Sequence, residues 1–414
     1  MADKHKWEFK ARFRRHAYGW KGTAPASKRL REATREIKKV AKKDPVLAAD
    51  GSVGLMERLW PALQDIDTSS GYLGDAVFSA LDKLIPILVD APADIDVRRA
   101  WLERLYEAVQ EDGVSYLDPA EERWGEICVF PELQNEWADR VIPLLRLCWS
   151  DESPGFARGS DICLSCLLEA GRYSELEELL GMQKKRWWHY DKFWAEALVR
   201  MGRTDEAIAF ASALLEEPHH HYAIRDFCER TLIAAGRSEE AYYDYGLLLR
   251  SGNTYLSCYR SLVSKYPDID PRQILNDLID TSENIGSWFA SARKAGFNDI
   301  ARRCAREGVV EPKTLLTAAR DSLEDDPSFS YELALRALEL LLAGHGYEPS
   351  VTEVRKGFDI LIESAAGMGL VNWAIMGIEA LLSKKPAPYD VILAKSLRAM
   401  LDRYILDCTE ETGG

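Results

Sequence analysis

The stretch Leu232–Leu249, "LIAAGRSEEAYYDYGLLL", begins with a short motif that recurs elsewhere in the chain. Near copies are "LLEAGRYSELEELL" at Leu167–Leu180 and "LVRMGRTDEAIAFASALL" at Leu198–Leu215, and "SARKAGFNDIARRCARE" at Ser291–Glu307 is a looser copy. In each copy a glycine separates two runs that contain apolar residues. Such internal similarity indicates a repeated supersecondary unit, in which every copy forms the same local structure.

The glycines of the motif set the repeat length. Gly171, Gly202, Gly236 and Gly296 lie 31, 34 and 60 residues apart, and the last interval is close to two periods. A period of about 30–34 residues is typical of helix hairpins that stack into a solenoid, because a single hairpin cannot bury its apolar face alone. Glycine readily adopts the left-handed conformation that ends a helix. We therefore expect each glycine at a tight turn between two antiparallel helices.

The residues after the glycines support this prediction. A polar side chain that can accept hydrogen bonds from the free N–H groups of a helix follows each glycine closely. These predicted caps are Ser174, Thr204, Ser238 and Asn298, and Ser174 with Glu177 has capping-box spacing. In three copies a small residue follows five positions after the glycine, and it would let paired helices approach closely. These residues are Ala207, Ala241 and Ala301.

The "AGRxxEA" turn and the apolar helix after it resemble the tetratricopeptide repeat over roughly residues 156–310, with Ala195 at the small position of a first helix. The whole chain, including "FRRHAYGWKG" and "WADRVIPLLR", also resembles uncharacterised bacterial helical proteins. Some of those proteins carry a SWIM zinc finger, whose Cys-x-Cys and Cys-x-His pairs this chain lacks. The resemblance implies a fold, and no peptide-binding residue of the repeat family is carried over.

Strand-like alternation is nearly absent, so we predict an all-α protein: a helix-hairpin, tetratricopeptide-like solenoid with helical N-terminal and C-terminal regions. The predicted segments are a basic arm with a first helix (1–45), a helical region (46–155), the repeats (156–310) and a C-terminal helical region (311–414). Apolar stretches between turn signals predict helices over 46–65, 72–90, 95–112, 120–129, 132–149, 312–324, 330–344, 351–367, 370–384 and 388–406.

Charge is distributed unevenly along the chain. The formal net charge is −14, but residues 1–43 carry 15 Lys and Arg against 4 Asp and Glu, whereas the remainder carries 38 against 63. The basic arm could bind nucleic acid, bind an acidic protein, or lie in solvent or on the acidic body of its own chain. The candidate nucleic-acid-binding residues are Arg12, Arg14, Arg15, Lys21, Lys28, Arg29, Arg31 and Arg35.

The segment "KKRWWHYDKFW" (Lys184–Trp194) interleaves cations with aromatic rings. Three interpretations are open: a core stripe at Trp187, Tyr190 and Trp194, a groove for a peptide, or a stacking surface for nucleic acid. Tyrosines of the segment that follows Gly236 could join the same wall. The candidate partner-binding residues are Lys184, Lys185, Arg186, Trp187, Trp188, Tyr190, Tyr243 and Tyr255.

Two further motifs suggest metal or redox chemistry and are better explained otherwise. Consecutive residues on a helix point about 100° apart, so His219, His220 and His221 cannot all face one metal ion. Cys163 and Cys166 form a lone C-x-x-C without the second pair that a zinc site needs, and we expect them to be buried in a helix. We therefore predict neither a metal site nor a cofactor.

Signatures of catalysis and of membrane insertion are missing from the sequence. It has no phosphate-binding loop, dinucleotide-binding fingerprint, zinc-protease motif or nucleophile elbow, and we expect no enzyme; a hydrolase with an unrecognised site is the alternative. Without a long apolar run or a secretory signal, and with scattered cysteines, we expect a cytoplasmic protein. The expected function is a non-catalytic scaffold that binds a protein or peptide, alternatively a nucleic-acid-associated accessory protein.

Overall fold

The computed structural model describes residues 5–150, 157–216, 221–249, 252–384 and 391–412. These ranges contain 23 α-helices, two 3₁₀ turns, one π-helical turn and no β-strand, which confirms the prediction of an all-α protein. The chain forms two compact units, an N-terminal unit Met1–Ala235 and a C-terminal unit Gly236–Gly414. None of the helices in the described ranges combines the length and the apolar character needed to cross a bilayer.

The N-terminal unit contains thirteen of the described α-helices and a 3₁₀ turn at Leu214–Glu216. The helices are α1 (Phe9–Arg12), α2 (Thr23–Ala41), α3 (Pro45–Leu63), α4 (Tyr72–Asp90), α5 (Ile95–Glu111), α6 (Asp118–Glu122), α7 (Trp124–Cys128), α8 (Pro131–Cys148), α9 (Ser160–Glu169), α10 (Tyr173–Gly181), α11 (Trp188–Arg200), α12 (Thr204–Ala213) and α13 (His221–Ala234).

The C-terminal unit contains ten α-helices within its described part, with a π-helical turn at Tyr242–Gly246 and a 3₁₀ turn at Ile285–Trp288. The helices are α14 (Ser238–Ala241), α15 (Tyr255–Lys265), α16 (Pro271–Asp280), α17 (Phe289–Lys294), α18 (Asn298–Glu307), α19 (Pro312–Asp321), α20 (Pro327–Leu342), α21 (Val351–Gly367), α22 (Val371–Ser383) and α23 (Val391–Thr412).

All four glycines of the repeated motif lie at corners between two helices. Gly171, Gly202, Gly236 and Gly296 have φ angles of 71°, 76°, 77° and 84°, the left-handed region that favours glycine. In three corners the residue after the glycine donates its N–H to the carbonyl five positions earlier, the Schellman pattern. These bonds join Arg172 to Leu167 at 2.9 Å, Arg203 to Leu198 at 2.9 Å and Phe297 to Ala292 at 3.0 Å.

The predicted helix caps at these corners are wrong. Ser174, Thr204, Ser238 and Asn298 lie inside the first turn, because the helices begin one or two residues earlier than the capping prediction requires. An arginine occupies the N-cap in three corners and donates two hydrogen bonds to the glutamate three positions later. These pairs are Arg172–Glu175, Arg203–Glu206 and Arg237–Glu240, with distances of 2.5 to 2.8 Å. The arginine fixes a carboxylate beside the positive helix end.

The interval of 60 residues between Gly236 and Gly296 contains a helix pair with a different joint. Helix α15 packs against α16, and the joint between them holds no glycine. Asp270 caps α16 instead, accepting a hydrogen bond from the Arg272 N–H at 2.9 Å, and Pro271 occupies the first helical position. Proline is favourable at this position because its missing N–H would have no helical partner. A turn between two paired helices is therefore present here too, but aspartate and proline form it in place of glycine.

The predicted small residues and three aromatic residues of the basic arm are buried. Ala207, Ala241 and Ala301 have no exposed surface, as the close approach of paired helices requires. Trp7, Phe9 and Phe13 are at most 4% exposed and belong to one hydrophobic cluster of the N-terminal unit that extends as far as Ala197. The arm is therefore built into the core of that unit by its apolar side chains.

Candidate functional site

A cleft of about 590 Å³ lies in the N-terminal unit. Its walls come from α9, α11 and α13, with further side chains from the α6–α7 segment. These three helices are the ones that precede the motif glycines Gly171, Gly202 and Gly236. Of the predicted partner-binding residues, only Trp188 lines this cleft.

Side chains spaced four residues apart line the cleft on two neighbouring helices. Helix α11 contributes Lys192, Glu196 and Arg200, and α13 contributes Tyr222, Asp226 and Arg230. Residues four positions apart lie on the same helical face, one turn above the other. The cleft therefore has two rows of polar groups, with a tyrosine at one end of the second row.

Ion pairs join the helices that form the walls. Lys192 binds Glu122 at 2.6 Å, Arg200 binds Glu169 at 2.5 Å and Arg230 binds Glu196 at 2.5 Å. The remaining carboxylate, Asp226, is 48% exposed, and it approaches the Arg230 guanidinium only at 3.9 Å. With Glu126 included, the lining holds five carboxylates and four cations, and Asp226 is the one least engaged.

Aromatic rings form the apolar part of the cleft. The Trp188 and Phe227 rings meet edge to face at 5.3 Å and are 6% and 2% exposed, and Phe193 is buried beside them. Tyr222 is 60% exposed and carries the accessible ring of the lining. A partner side chain could therefore contact a ring at Tyr222 and a carboxylate one turn away at Asp226.

The predicted aromatic segment does not act as a single surface. Trp188 lines the cleft, whereas Trp187 and Tyr190 do not. Trp187 is 45% exposed and its ring contacts those of His189 and Tyr190. Tyr190 is 5% exposed and receives a hydrogen bond from the Ser160 hydroxyl at 3.1 Å, which makes it a core residue.

The cations of the same segment precede α11 and are exposed. Lys184, Lys185 and Arg186 do not line the cleft. Arg186 binds the buried Asp191 carboxylate at 2.8 Å, and its guanidinium covers the Phe210 ring at 4.7 Å. This arginine therefore has a structural role at the start of α11.

The two predicted tyrosines of the C-terminal unit are half-exposed. The Tyr243 hydroxyl accepts a hydrogen bond from Gln273 Nε2 at 2.8 Å, and its side chain is 47% exposed. Tyr255 begins α15, is 45% exposed and meets the Trp288 ring at 4.9 Å. Both tyrosines therefore present part of a ring to solvent in the C-terminal unit.

A partly buried acidic network adjoins the cleft and was missed by the sequence analysis. Burial, followed by the charges of Asp161, Asp118 and Asp112, raises the pKa of Glu121 to about 8. Burial likewise raises the pKa of Asp118 to about 6. The run "LDPAEE" (117–122) was the available signal, but a run of carboxylates ordinarily indicates a solvated face.

His189 connects this network to the cleft. Its Nε2 lies 3.0 Å from Asp161, and its Nδ1 lies 3.7 Å from Glu122, the carboxylate that also binds Lys192 in the cleft. Burial lowers the pKa of His189, but the hydrogen bond to Asp161 and its charge outweigh burial, so the net shift is upward. The arrangement therefore favours a protonated Glu121 carboxyl near neutral pH and shifts His189 toward its charged form.

The basic arm keeps most of its predicted residues in solvent. Arg12 and Arg29 are exceptions, because both bind Glu32 at 2.7 Å and Arg12 also binds Glu8. The exposed members of the predicted set are Arg14, Arg15, Lys21, Lys28, Arg31 and Arg35. Apart from His16, which approaches Asp65 at 2.7 Å, the ion pairs of described arm residues stay within the arm.

The cysteine motif is buried in a helix, whereas the histidine motif is described only at His221. Cys163 and Cys166 are buried in α9, as predicted, and burial raises the pKa of the Cys163 thiol to about 12. His221 begins α13, whereas His219 and His220 lie outside the described residues. In the described part of the chain, no three His, Cys, Asp or Glu side chains are arranged to hold a metal ion.

The fold and the cleft define a class: an all-α protein of helices joined at glycine corners, with a charged cleft lined by aromatic rings. No protein-family model matches the chain, and a search of curated proteins finds no match.

Proposed function

We propose that this chain is a non-catalytic, tetratricopeptide-like helical-repeat scaffold that binds a protein or peptide partner in the cleft formed by α9, α11 and α13. The observation that supports it is the position of the cleft on the three helices that precede motif glycines, where rings and charges of both signs converge. Helical arrays bind extended segments or helices of partners on such surfaces. The eight cysteines are scattered along the chain, which suits a reducing cytoplasm.

The acidic chain around the cleft and the exposed Asp226 favour a basic partner. The chain outside residues 1–43 carries 63 acidic and 38 basic residues, so its field attracts cations. Within the cleft, an arginine or lysine of the partner would stack on Tyr222 and bind Asp226, the carboxylate whose own partner is farthest away. Apolar side chains next to that cation would contact Trp188 and Phe227.

A peptide-display selection on the immobilised full-length protein tests the proposal. We expect enrichment of peptides that combine an arginine or lysine with an aromatic or aliphatic residue. Tyr222→Ala should weaken their binding by about 2 kcal/mol, or roughly 30-fold in Kd, because aromatic anchors dominate such interfaces. Asp226→Asn should also weaken binding, and the difference in Kd from the unmodified protein should shrink at high salt, which screens the carboxylate. Fluorescence anisotropy of labelled peptides measures both effects.

Tyr72→Ala is the matched control, since Tyr72 is 55% exposed, belongs to the same unit and does not line the cleft. It should leave the Kd unchanged. The proposal fails if no peptide is enriched, or if the enriched peptides bind the Tyr222→Ala and Asp226→Asn variants as tightly as the unmodified protein.

A further inference from the structure

The solvent face of α2 carries a row of cations that was only partly visible in the sequence analysis. Six exposed side chains form it, and we refer to them as the α2 stripe: Lys28, Arg31, Arg35, Lys38, Lys39 and Lys42. At about 100° per residue they fall within an arc of about 100°. At about 1.5 Å per residue the stripe is about 21 Å long.

The opposite face of α2 fixes the stripe in place. Leu30, Ala33 and Ile37 are at most 2% exposed and belong to the core, where α2 packs against α3 and α4. The helix therefore cannot insert this apolar face into a lipid surface, as a free amphipathic helix would. Its cations are held on a rigid element, so little backbone order has to be gained when a ligand binds.

The α2 stripe keeps most of its positive charge. Among the described residues none of its six members takes part in an ion pair. The acids of α2 are engaged elsewhere: Glu32 binds Arg12 and Arg29, and Glu36 accepts hydrogen bonds from the backbone N–H groups of Glu8 and Phe9. Lys28 interacts with the charge of Glu32 one turn away, but most of the repulsion among the six cations remains until an anion binds.

Further groups extend the α2 stripe toward the N-terminus. Arg14, Arg15 and Lys21 are exposed and precede α2. Trp20, three residues before the helix, is 67% exposed and offers a ring on which an unpaired base could stack. A rigid row of cations next to an accessible ring matches the regular phosphates and bases of nucleic acid more closely than an acidic protein segment.

We propose that the α2 stripe binds the phosphate backbone of nucleic acid without sequence selection, independently of the cleft. Duplex DNA presents about one negative charge per 1.7 Å of its axis, so a stripe of this length faces several phosphates at once. The acidic remainder of the chain repels phosphates, so we expect nucleic acid to contact the protein at this face alone. Binding is therefore of modest affinity and depends steeply on salt.

The test is fluorescence anisotropy of the full-length protein with random-sequence duplex DNA and single-stranded RNA, each about 25 units long, from about 25 to 200 mM KCl. We expect log K to fall with log salt at a slope near −3 or steeper. The triple variant Arg31→Gln, Arg35→Gln, Lys38→Gln should lose at least about tenfold in affinity at low salt and make the slope shallower by about 2. Trp20→Ala should weaken single-stranded binding more than duplex binding.

Arg355→Gln, Lys356→Gln, Arg398→Gln is the matched control, because it removes the same charge from exposed positions of the C-terminal unit. It should bind nucleic acid with the same affinity as the unmodified protein. Circular dichroism serves to check that both triple variants are folded. Three results would overturn the proposal: no binding at the lowest salt, equal loss in the two triple variants, or binding confined to anionic phospholipid vesicles or polyglutamate.

Discussion

Arg98 is a buried cation without a carboxylate partner. It is 1% exposed, and its guanidinium donates to three backbone carbonyls: Leu88 at 2.8 Å, Ala91 at 2.8 Å and Ile127 at 2.9 Å. These carbonyls belong to the C-terminal ends of α4 and α7, where a helix leaves its last acceptors unpaired and favours a positive charge. Arg98 therefore caps two helices from a third.

Arg98→Met should destabilise the protein by about 3–5 kcal/mol, since it fills most of the volume but removes the side-chain donor from three buried carbonyls, of which that of Ala91 keeps the Ala93 N–H. Urea denaturation followed by circular dichroism measures the loss. Arg99→Met is the control: Arg99 is 38% exposed and binds Asp96 and Glu136 at the surface, so less than about 1 kcal/mol is expected. A loss at Arg98 no larger than at Arg99 would contradict the capping role.

Glu121 makes stability depend on pH. Its pKa is raised to about 8 in the folded protein, above the ordinary value of 4.5, so folding favours its protonated form. This contribution is fully present below about pH 4.5 and is lost as the pH rises through 8. The raised pKa of His189 acts in the same direction, with a contribution that is present below its ordinary value of 6.5 and lost at higher pH.

Glu121→Gln should therefore be nearly neutral at pH 5 and stabilising at pH 8, by up to a few kcal/mol, because an amide resembles the protonated carboxyl and cannot ionise. Urea midpoints at the two pH values measure the difference. Glu132→Gln, an exposed acid-to-amide change on α8, controls for the substitution itself. Equal effects of Glu121→Gln at pH 5 and pH 8 would show that the carboxyl is not protonated in the fold.

At the scale of elements, helix α7 approaches α9 at a glycine. A Cβ on Gly125 would lie 2.4 Å from the Ser165 carbonyl oxygen and 2.7 Å from Glu169 Cγ. The Gly125 N–H also donates to the Ser165 hydroxyl at 3.0 Å. Since Glu126, Ser165 and Glu169 all line the cleft, this contact sets the position of one of its walls.

Gly125→Ala should destabilise the protein by about 1–3 kcal/mol and weaken peptide binding in the cleft, because the clash is with backbone atoms and α7 must move. Gly181→Ala is a useful control: Gly181 ends α10 with open space around it, and alanine there should be neutral or slightly stabilising. Thermal unfolding and peptide titration report the two effects. A Gly125→Ala variant as stable as Gly181→Ala would disprove the tight contact.

Helix joints show what local sequence conveys and what it hides. The positions of the corners could be predicted from the glycines, because the left-handed conformation of glycine is a local property of the backbone. The capping prediction failed because the side chains compete: Arg203 binds Glu206, and the helix begins at Thr204 without a side-chain cap. The spacing of arginine and glutamate was visible in the motif, but their pairing depends on where the helix starts.

At the scale of the molecule, the N-terminal unit buries its apolar groups and either exposes its charges or pairs them. The basic arm contributes Trp7 and Phe13 to the core and presents the α2 stripe to solvent. In the cleft, cations and carboxylates bind one another across helices. The two proposed binding surfaces thus differ in kind: the cleft is nearly balanced in charge and contains rings, whereas the stripe is uniformly positive.

The sequence by itself determined the helical class, the glycine corners and most helix bounds, including residues 351–367 for α21. These features depend on hydrophobic periodicity and turn chemistry, which act over a few residues. Only the tertiary structure decided that Trp188 faces a cleft while Tyr190 is in the core, that the pKa of Glu121 is raised, and that the α2 stripe forms no ion pairs among the described residues. Burial and pairing depend on residues far apart in the chain, which a single sequence does not bring together.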